Sequence, residues 1–257
     1  LQIERDIINA IENGQFSAHF QPQLNVNRKI IGAEALIRWN HPQKGPISPF
    51  HFIPVAEQSG LIHKLQDIVL RDSCALLKRL DNHDINDENF AVAINISACQ
   101  FRTNLSQSLF RTLNDFDIPP NKFKLEITES MLMDDRENTI AQMKKLKQEG
   151  FQFSIDDFGT GYSSLAYLHS FPVDELKIDR IFINNMQDTE NGAAIVDTII
   201  TLANNLNFTV IAEGIENKEQ LNILSKKGIK GMQGFLLSHP LPAEDFIYWL
   251  DQSKEHI

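Results

Sequence analysis

The stretch FSAHFQPQL (16–24) is followed, after only the four residues NVNR (25–28), by KIIGAEALIRW (29–39). Both stretches have the apolar character of β-strands. A four-residue connection is too short for the crossover that joins two parallel strands, which takes a dozen residues or more. The sequence therefore predicts an antiparallel strand pair near the N-terminus.

Beyond this pair, short apolar runs alternate with longer helix-like stretches, a rhythm typical of repeated βα units. The runs are AVAINIS, FKLEITE, FQFSID, ELKID, TVIAEG and GMQGFLL. Together with the N-terminal pair they give about eight strands, which favours a closed barrel over an open sheet. The predicted fold class is α/β, a TIM-like (β/α)8 barrel with an antiparallel first strand. Residues 41–54, rich in Pro and Gly, are predicted as a loop and 59–80 as a long amphipathic helix.

Composition limits the possible functions. A length of 257 residues suits a single barrel domain covering 1–257, and 42% hydrophobic with 23% charged residues indicates a globular chain with a sizeable core. The net charge of −10 argues against binding of DNA or RNA polymers and of anionic membranes. No apolar run approaches the length of a membrane span. Cys74 and Cys99 have no metal-binding spacing, so we expect buried reduced thiols. Because the sequence also shows no secretory signal, we expect a cytoplasmic domain.

Residues with metal-binding oxygen atoms lie at the ends of the predicted strands. They are Glu34, Asn95, Glu126, Asp156, Asp157 and Glu213. In a closed parallel barrel the strand ends meet at one mouth, where several carboxylates would repel each other unless cations lay between them. Hard cations such as Mg²⁺ or Mn²⁺ prefer oxygen ligands. The pattern predicts a metal centre, and the adjacent Asp156 and Asp157 favour two ions.

Several of these residues have a simpler alternative when they are taken alone. Asp156 and Asp157 could lie in a solvated loop or at a helix N-terminus. Glu34 could be an exposed strand residue, Asn95 a helix cap, and Glu126 a surface partner of Lys124. Lys177, at the end of ELKID, could be an ordinary surface lysine, or its ammonium could orient a water beside the metal. The occurrence of all of them at the ends of different strands favours the metal centre.

Other enzyme classes find little support in the sequence. The histidines form no metal-binding motif, and there is no Gly-rich dinucleotide loop, phosphate-binding loop or Gly-x-Ser-x-Gly elbow. A barrel enzyme that abstracts a proton with a strand-end lysine and one Mg²⁺ remains an alternative. The paired aspartates count against it, because they favour two metal ions.

The motifs, in this order and over nearly the whole chain, resemble the EAL domain. They are QPQ (21–23), EALIRW (34–39), INIS (94–97), EITES (126–130), DDFGTGYSSL (156–165), LKID (176–179), AEGIE (212–216) and QGF (233–235). The resemblance implies a barrel with an antiparallel first strand. It also implies hydrolysis of cyclic di-GMP to linear 5′-pGpG by a water that two Mg²⁺ or Mn²⁺ ions activate, without a covalent enzyme intermediate.

The resemblance also implies a role for individual residues. One metal ion would be held by Glu34, Asn95, Glu126 and Asp156, and the other by Asp156, Asp157 and Glu213. The catalytic group comprises Lys177, which positions the water, Glu213, and Glu129, which anchors the mobile loop after the aspartates. The alternative for Glu129 is a strand-end surface acid.

Substrate contacts are implied for Gln21, Leu36, Arg38, Gln233 and Pro240. Arg38 would meet a phosphate, while Leu36 and Pro240 would meet a guanine face. Arg38 could instead pair with a surface acid, and Pro240 could simply end a strand.

The sequence departs from the family pattern at His239, where many members carry Lys or Arg before the proline. A charge contact at that position would become pH-dependent or be lost.

Two questions of assembly and activity stay open at this stage. A catalytically silent cyclic di-GMP receptor on the same fold is the alternative function, although the intact metal positions favour the active enzyme. We expect a homodimer, formed by an apolar surface that could equally be core: Tyr162, Leu165, Tyr167, Leu168 and Phe171. Because the sequence begins inside a helix-like stretch, we expect it to be part of a longer signalling protein with sensory or cyclase domains. That longer protein could be attached to a membrane.

Overall fold

The structure is a computed structural model that describes residues 2–81, 90–103, 105–133, 135–159, 165–186 and 190–254. Its strands are β1 Phe16–Leu24, β2 Ile30–His41, β3 Gly45–Ile47, β4 Ala91–Asn95, β5 Phe123–Thr128, β6 Gln152–Phe158, β7 Glu175–Ile178, β8 Thr209–Ala212 and β9 Gly231–Met232. Its helices are α1 Gln2–Glu12, α2 Pro49–Gln58, α3 Ile62–Asp81, α4 Ala98–Phe101, α5 Leu105–Phe116, α6 Glu129–Met133, α7 Arg136–Gln148, α8 Leu165–Leu168, α9 Arg180–Asn185, α10 Glu190–Asn205, α11 Lys218–Lys226 and α12 Ala243–Lys254.

Eight of the strands close into a barrel, in the order β1-β9-β8-β7-β6-β5-β4-β2, with β2 pairing back to β1. β1 is antiparallel to both of its neighbours, whereas β2 and β4 to β9 run parallel to one another. The predicted barrel with an antiparallel first strand is therefore confirmed. The turn between β1 and β2 is fixed by Asn25, whose Oδ1 accepts hydrogen bonds from the backbone N–H groups of Asn27 and Lys29 at 2.9 and 3.0 Å.

The predicted loop at 41–54 is wrong, because this segment contains β3 and most of α2. β3 pairs with the outer end of β2 and lies outside the barrel. Pro49 occupies the first turn of α2, where its missing N–H costs no helical hydrogen bond. The long helix predicted at 59–80 begins only at Ile62, since Gly60, at φ +72°, lies in the turn after α2.

The buried apolar residues form two clusters. The larger cluster lies between the barrel and the surrounding helices. The smaller one joins α1 and α2 to Phe16 and Trp39, and includes Phe52. None of the helices within the described ranges is long and apolar enough to cross a membrane. Cys74 is buried in the larger cluster, and burial raises the pKa of its thiol to about 12, as expected for an unreactive reduced cysteine.

The barrel interior is polar. Glu126 of β5 reaches Lys177 of β7, although β6 lies between these two strands, so both side chains point into the barrel. Side chains two positions apart share a strand face, and neighbours in sequence point the opposite way. Leu125 and Leu176 therefore point outward into the larger apolar cluster. This alternation places charged side chains at the mouth and apolar ones against the helices.

Candidate active site

Four carboxylates from different parts of the barrel surround one buried ammonium. The Lys177 Nζ atom lies 2.7 Å from Glu213 Oε1, 2.8 Å from Glu126 Oε1, 3.3 Å from Glu34 Oε2 and 3.4 Å from Asp156 Oδ1. The Lys177 side chain is 0% exposed. The structure thus brings these four predicted carboxylates together around Lys177, and the surface alternative for Lys177 is wrong.

Glu34 differs from the prediction in its position along the strand. It lies well inside β2, which continues beyond it to pair with β3. Its carboxylate accepts hydrogen bonds from Asn95 Nδ2 at 2.9 Å and Gln233 Nε2 at 2.6 Å. Burial disfavours its ionisation, but Lys177 and these hydrogen bonds outweigh burial and lower its pKa. The Glu34 carboxylate is therefore buried and fixed by hydrogen bonds, so the alternative of an exposed strand residue is wrong.

A chain of glutamine amides supports Glu34 from one side. Gln23 Nε2 donates to Gln233 Oε1 at 2.9 Å, and Gln233 Nε2 also donates to Gln21 Oε1 at 3.0 Å. All three glutamines are buried. Sequence reasoning singled out Gln21 and Gln233 as substrate contacts and missed Gln23. The signal for Gln23 was its place two residues after Gln21, on the same face of β1.

The pKa values of Glu126 and Glu213 are raised, whereas that of Glu34 is lowered. Burial and the neighbouring carboxylates raise the pKa of Glu126 well above its usual value, against the attraction of Lys177. Burial first, and then Asp156 and Glu34, raise the pKa of Glu213 to about 8 despite Lys177. Burial favours neutral Lys177, yet the carboxylates around it raise its pKa well above the ordinary value and keep it charged. The single positive charge of Lys177 is not enough to keep all four carboxylates in their ionised form.

Asp156 and Asp157 point to different places. The pairing of β6 with β7 is irregular between Ile155 and Phe158, and Asp157 has φ +53°. Such a bulge re-aims side chains at a site, and aspartate tolerates this backbone conformation better than most residues. Asp156 contacts Lys177, whereas Asp157 is exposed at the rim.

Asp157 has a neighbour that sequence reasoning missed. Asp157 keeps exposed surface, yet its carboxyl is partly buried; this partial burial, Asp156 and a hydrogen bond with Asp179 raise the pKa of Asp157 to about 6. Asp179 also caps α9, because its Oδ1 accepts a hydrogen bond from Ile181 N at 2.7 Å. The signal for Asp179 was its place in the LKID motif, two residues after Lys177.

Glu129 is buried, so the surface alternative for this residue is wrong. It begins α6, and its Oε2 accepts a hydrogen bond from the backbone N–H of Gly159 at 2.9 Å. Gly159 directly follows β6 and has φ +92°, a conformation that favours glycine. The predicted mobile loop continues into 160–164, which lie outside the described residues.

A cavity of about 440 Å³ opens beside the carboxylate cluster. Its lining includes Leu36, Arg38 and Asn95. Arg38 is partly buried, and its Nη1 donates to the carbonyl of Ile37 at 2.9 Å. Burial lowers the pKa of the Arg38 guanidinium, against the attraction of Glu34, and arginine stays charged in such sites. Pro240 does not line this cavity.

His239 lies with Phe235 in the segment after β9, where Leu241 pairs with Phe20 of β1. Its ring is 4.2 Å from that of Phe235, and both side chains are exposed. The position where the resemblance implies Lys or Arg is therefore occupied here by an imidazole ring packed against Phe235.

The chemistry of the donor set fits hard divalent cations, although the described part of the chain contains no group of three or more His, Cys, Asp or Glu side chains arranged as a metal site. Lys177 lies where the carboxylates converge. Both oxygens of Glu126 are buried, and neither has a hydrogen bond, although Oε1 has the ion pair to Lys177. Carboxylate oxygens short of positive charge are the ligands that Mg²⁺ and Mn²⁺ favour.

The surface proposed for a dimer is only partly described. Tyr162 lies outside the described residues, and so does the side chain of Leu165. Leu168 and Phe171 are buried in the larger core. Tyr167 is exposed, with the Arg136 guanidinium 4.0 Å above its ring.

Comparison with known proteins gives a consistent result. The chain matches the EAL domain family over residues 4–240. It is 41% identical over 249 residues to the bifunctional diguanylate cyclase/cyclic di-GMP phosphodiesterase MucR of Pseudomonas aeruginosa, covering 96% of this chain and 36% of that protein. It is 38% identical over 244 residues to the cyclic di-GMP phosphodiesterase NbdA of the same organism, covering 94% and 31%. The chain thus spans about a third of these relatives.

The fold is shared with solved structures. A structure of the PaMucR phosphodiesterase in complex with c-di-GMP superposes with a TM-score of 0.91 and 40% identity, covering 96% of this chain and 100% of that one.

Proposed function

The chain belongs to the EAL domain family, and on that premise we propose that it hydrolyses cyclic di-GMP to linear 5′-pGpG. The observation that carries the proposal is the convergence of four carboxylates from separate strands on the single buried Lys177. The relatives at about 40% identity bear the name of this activity. Burial of four carboxylates around one ammonium costs free energy, which favours a catalytic role over binding alone.

Two Mg²⁺ or Mn²⁺ ions are the proposed cofactors. Glu34, Asn95, Glu126 and Asp156 would hold one ion, and Asp156, Asp157 and Glu213 the other. When bound, such a pair of ions lowers the pKa of water and screens the charge that develops on the phosphate. The raised pKa values of Glu126, Glu213 and Asp157 support this assignment, because nearby cations would favour the ionised carboxylates.

Lys177 is the proposed positioning group for the attacking water. The surrounding carboxylates keep it an ammonium, so it donates hydrogen bonds and accepts none. An ammonium fixed by several ion pairs holds its donors in place before the reaction, which lowers the reorganisation cost of the step. Gln233 and Asn95 fix Glu34 in the same way.

The cavity beside the cluster is the proposed place for one half of the substrate. Arg38 would bind a phosphate through its forked donors, and Leu36 would pack on a guanine face. Gln21 and Gln233 would contact the substrate only if their present hydrogen bonds to each other and to Glu34 were shared or exchanged. Pro240 would act from the segment after β9 that pairs with β1 at Phe20, next to His239.

Glu129 is the proposed anchor of the loop that follows Asp156 and Asp157. Its hydrogen bond to Gly159 N holds the first residue after β6. We also propose that the domain works as a homodimer in the cytoplasm and that the full-length protein carries further sensory or cyclase domains. The silent receptor remains the second candidate function, since the PaMucR complex establishes for that relative only that c-di-GMP binds.

The test is incubation of the purified chain with cyclic di-GMP and either Mg²⁺ or Mn²⁺, followed by chromatography of the products. Appearance of 5′-pGpG that a chelator abolishes supports the proposal. Tight binding of unchanged cyclic di-GMP would establish the receptor instead. Glu34→Gln is the matched control, because it keeps the side-chain shape and removes one metal-binding charge.

A further inference from the structure

A second charged pair lies inside the barrel beneath Lys177. Lys124 and Glu175 form an ion pair with 2.5 Å between Nζ and Oε2, and their side chains are 12% and 4% exposed. Lys124 precedes Glu126 by two positions, and Glu175 precedes Lys177 by two. Because residues two apart share a strand face, the pair points into the barrel below the carboxylate cluster.

Ser154 lies on β6, the strand between these two. It pairs with Glu126 of β5 on one side and with Glu175 of β7 on the other. Neighbouring strands are about 4.8 Å apart, so the three residues lie side by side. Ser154 precedes the inward-pointing Asp156 by two positions and is 0% exposed. The three side chains therefore meet in the barrel interior.

Each of the three carries a buried oxygen with no hydrogen-bond partner within the described residues: Glu126 Oε2, Ser154 Oγ and Glu175 Oε1. A buried polar atom left unpaired costs about 1–3 kcal/mol, so native proteins satisfy nearly all of them with protein groups or ordered water. In the ionised form that metal binding requires, carboxylate oxygens only accept hydrogen bonds, and a serine hydroxyl has one proton to donate. The serine can therefore satisfy only one of the two carboxylates.

A single water resolves the shortage of donors. It has two protons for the two carboxylate oxygens and can accept the proton of the serine hydroxyl, which makes three hydrogen bonds, the usual number for a buried water. The interior of a TIM barrel is normally filled by Val, Ile and Leu. Polar residues in this position are costly, which indicates a role connected with the site above them.

We propose that Ser154 and Glu175 hold an ordered water against Glu126 Oε2 and that this water fixes the Glu126 carboxylate for metal binding. Lys124 acts through its ion pair, which fixes Glu175. All three are positioning residues, and none touches the substrate. The inference rests on the proposed role of Glu126 as a metal ligand and extends that role to the residues behind it.

The first test is a crystal structure of the unsubstituted protein at a resolution that shows ordered waters. One water within hydrogen-bond distance of Glu126 Oε2, Ser154 Oγ and Glu175 Oε1 is expected. Direct hydrogen bonds among these side chains, with no water between them, would overturn the proposal. This test does not depend on whether any variant folds.

The second test is the affinity for Mn²⁺ without nucleotide, measured by isothermal titration calorimetry. Ser154→Ala should weaken binding about tenfold, within the range found when groups behind a metal ligand are removed. Glu175→Gln should also weaken it. The matched control is Ser73→Ala, since Ser73 is equally buried but donates its hydroxyl to the Val69 carbonyl within α3, outside the barrel. Unchanged affinity in Ser154→Ala would refute the proposal.

These readouts separate the two hypotheses. A protein that binds Mn²⁺, loses affinity through Ser154→Ala and leaves cyclic di-GMP intact would contradict the proposed function and support the positioning role. A protein that cleaves cyclic di-GMP and binds Mn²⁺ equally well with or without the Ser154 hydroxyl would support the proposed function and contradict the positioning role.

Discussion

The two faces of the barrel strands are both buried, but burial stabilises the fold on one face and costs free energy on the other. The outward face carries Leu125, Phe153 and Leu176, each fully buried against the helices. The inward face, one residue away along the same strands, carries Glu126 and Lys177, which are just as buried but ionisable. Burial of apolar surface stabilises the fold at roughly 25 cal/mol per Å². Burial of charges costs free energy unless they are paired, and here the pairing is incomplete.

The difference indicates that stability and function have been separated onto opposite sides of one sheet. Substitutions on the inward face should reduce activity much more than stability, and substitutions in the outer apolar cluster should do the opposite. The predictions below test this separation, beginning with the largest expected effect.

Glu34→Gln should lower the rate of cyclic di-GMP hydrolysis by about 10³-fold, in the range for loss of one preorganised electrostatic group. The substitution removes a charge that Lys177, Asn95 and Gln233 hold in place. Steady-state kinetics measures the rate, and thermal unfolding should show a melting temperature within a few degrees of the unsubstituted protein. Near-normal, metal-dependent turnover would remove Glu34 from the metal site.

Leu76→Ala should lower the free energy of unfolding by about 2–5 kcal/mol, the usual cost of a large cavity in a core. Leu76 is fully buried on α3 in the larger apolar cluster. Urea unfolding measures the loss, and the KM of the folded fraction should not change. A raised KM with little loss of stability would contradict the view that the outer apolar cluster serves stability and the inward face serves function.

Glu129→Ala should raise the KM for cyclic di-GMP, or the Mn²⁺ concentration needed for half-maximal rate, by about tenfold. The change removes the acceptor of the Gly159 N–H and releases the residue that follows β6. Glu129→Gln, which keeps an acceptor oxygen, is the matched control and should retain most of the affinity. Normal kinetics together with a lower melting temperature would show that Glu129 is only structural.

The smallest effect on stability is expected for a substitution of Asp72, which lies on α3 and contacts β1. Its Oδ2 accepts a hydrogen bond from Ala18 N at 2.8 Å, but burial outweighs this and raises the pKa of its carboxyl. A folded-state pKa above the unfolded value means that the folded protein binds more protons in that interval, so stability falls as pH rises through it.

Asp72→Asn should remove this contribution, because the amide keeps an acceptor and does not titrate. Chemical unfolding measured from pH 4 to 7 should show a shallower decline of stability in the variant. An unchanged pH dependence would mean that Asp72 titrates normally in the folded protein.

Local sequence signals were sufficient for the barrel and failed for the elements attached to it. The four-residue turn after β1 is too short for a parallel crossover, so the antiparallel direction of β1 followed from the length of this turn alone. β3 and α2 were missed because Pro and Gly dominate that segment. Their formation depends on the smaller apolar cluster, which unites residues such as Ile7 and Phe52 that are distant in sequence.

The candidate site shows the same division. Motifs identified Glu34, Asn95, Glu126, Asp156, Glu213 and Lys177, and the structure brings all of them together. The same motifs assigned Asp156 to both metal ions and Asp157 to one of them, but they did not show that the bulge in β6 places Asp156 beside Lys177 and Asp157 at the rim. Gln23, Asp179 and Ser154 gave no independent signal, because a glutamine, a cap residue and a small serine are common in many settings.

The sequence by itself determined which chemical groups are present and the order of the strands that carry them, because strand periodicity and turn length are local properties of the chain. Only the tertiary structure decided which groups meet. Glu34 and Lys177 are 143 residues apart and share a hydrogen bond of 3.3 Å. The pKa of Glu34 is lowered while that of Glu126 is raised, although both are buried glutamates beside the same lysine. The difference comes from hydrogen bonds and charges within a few ångströms, which depend on how distant strands are placed in the closed barrel.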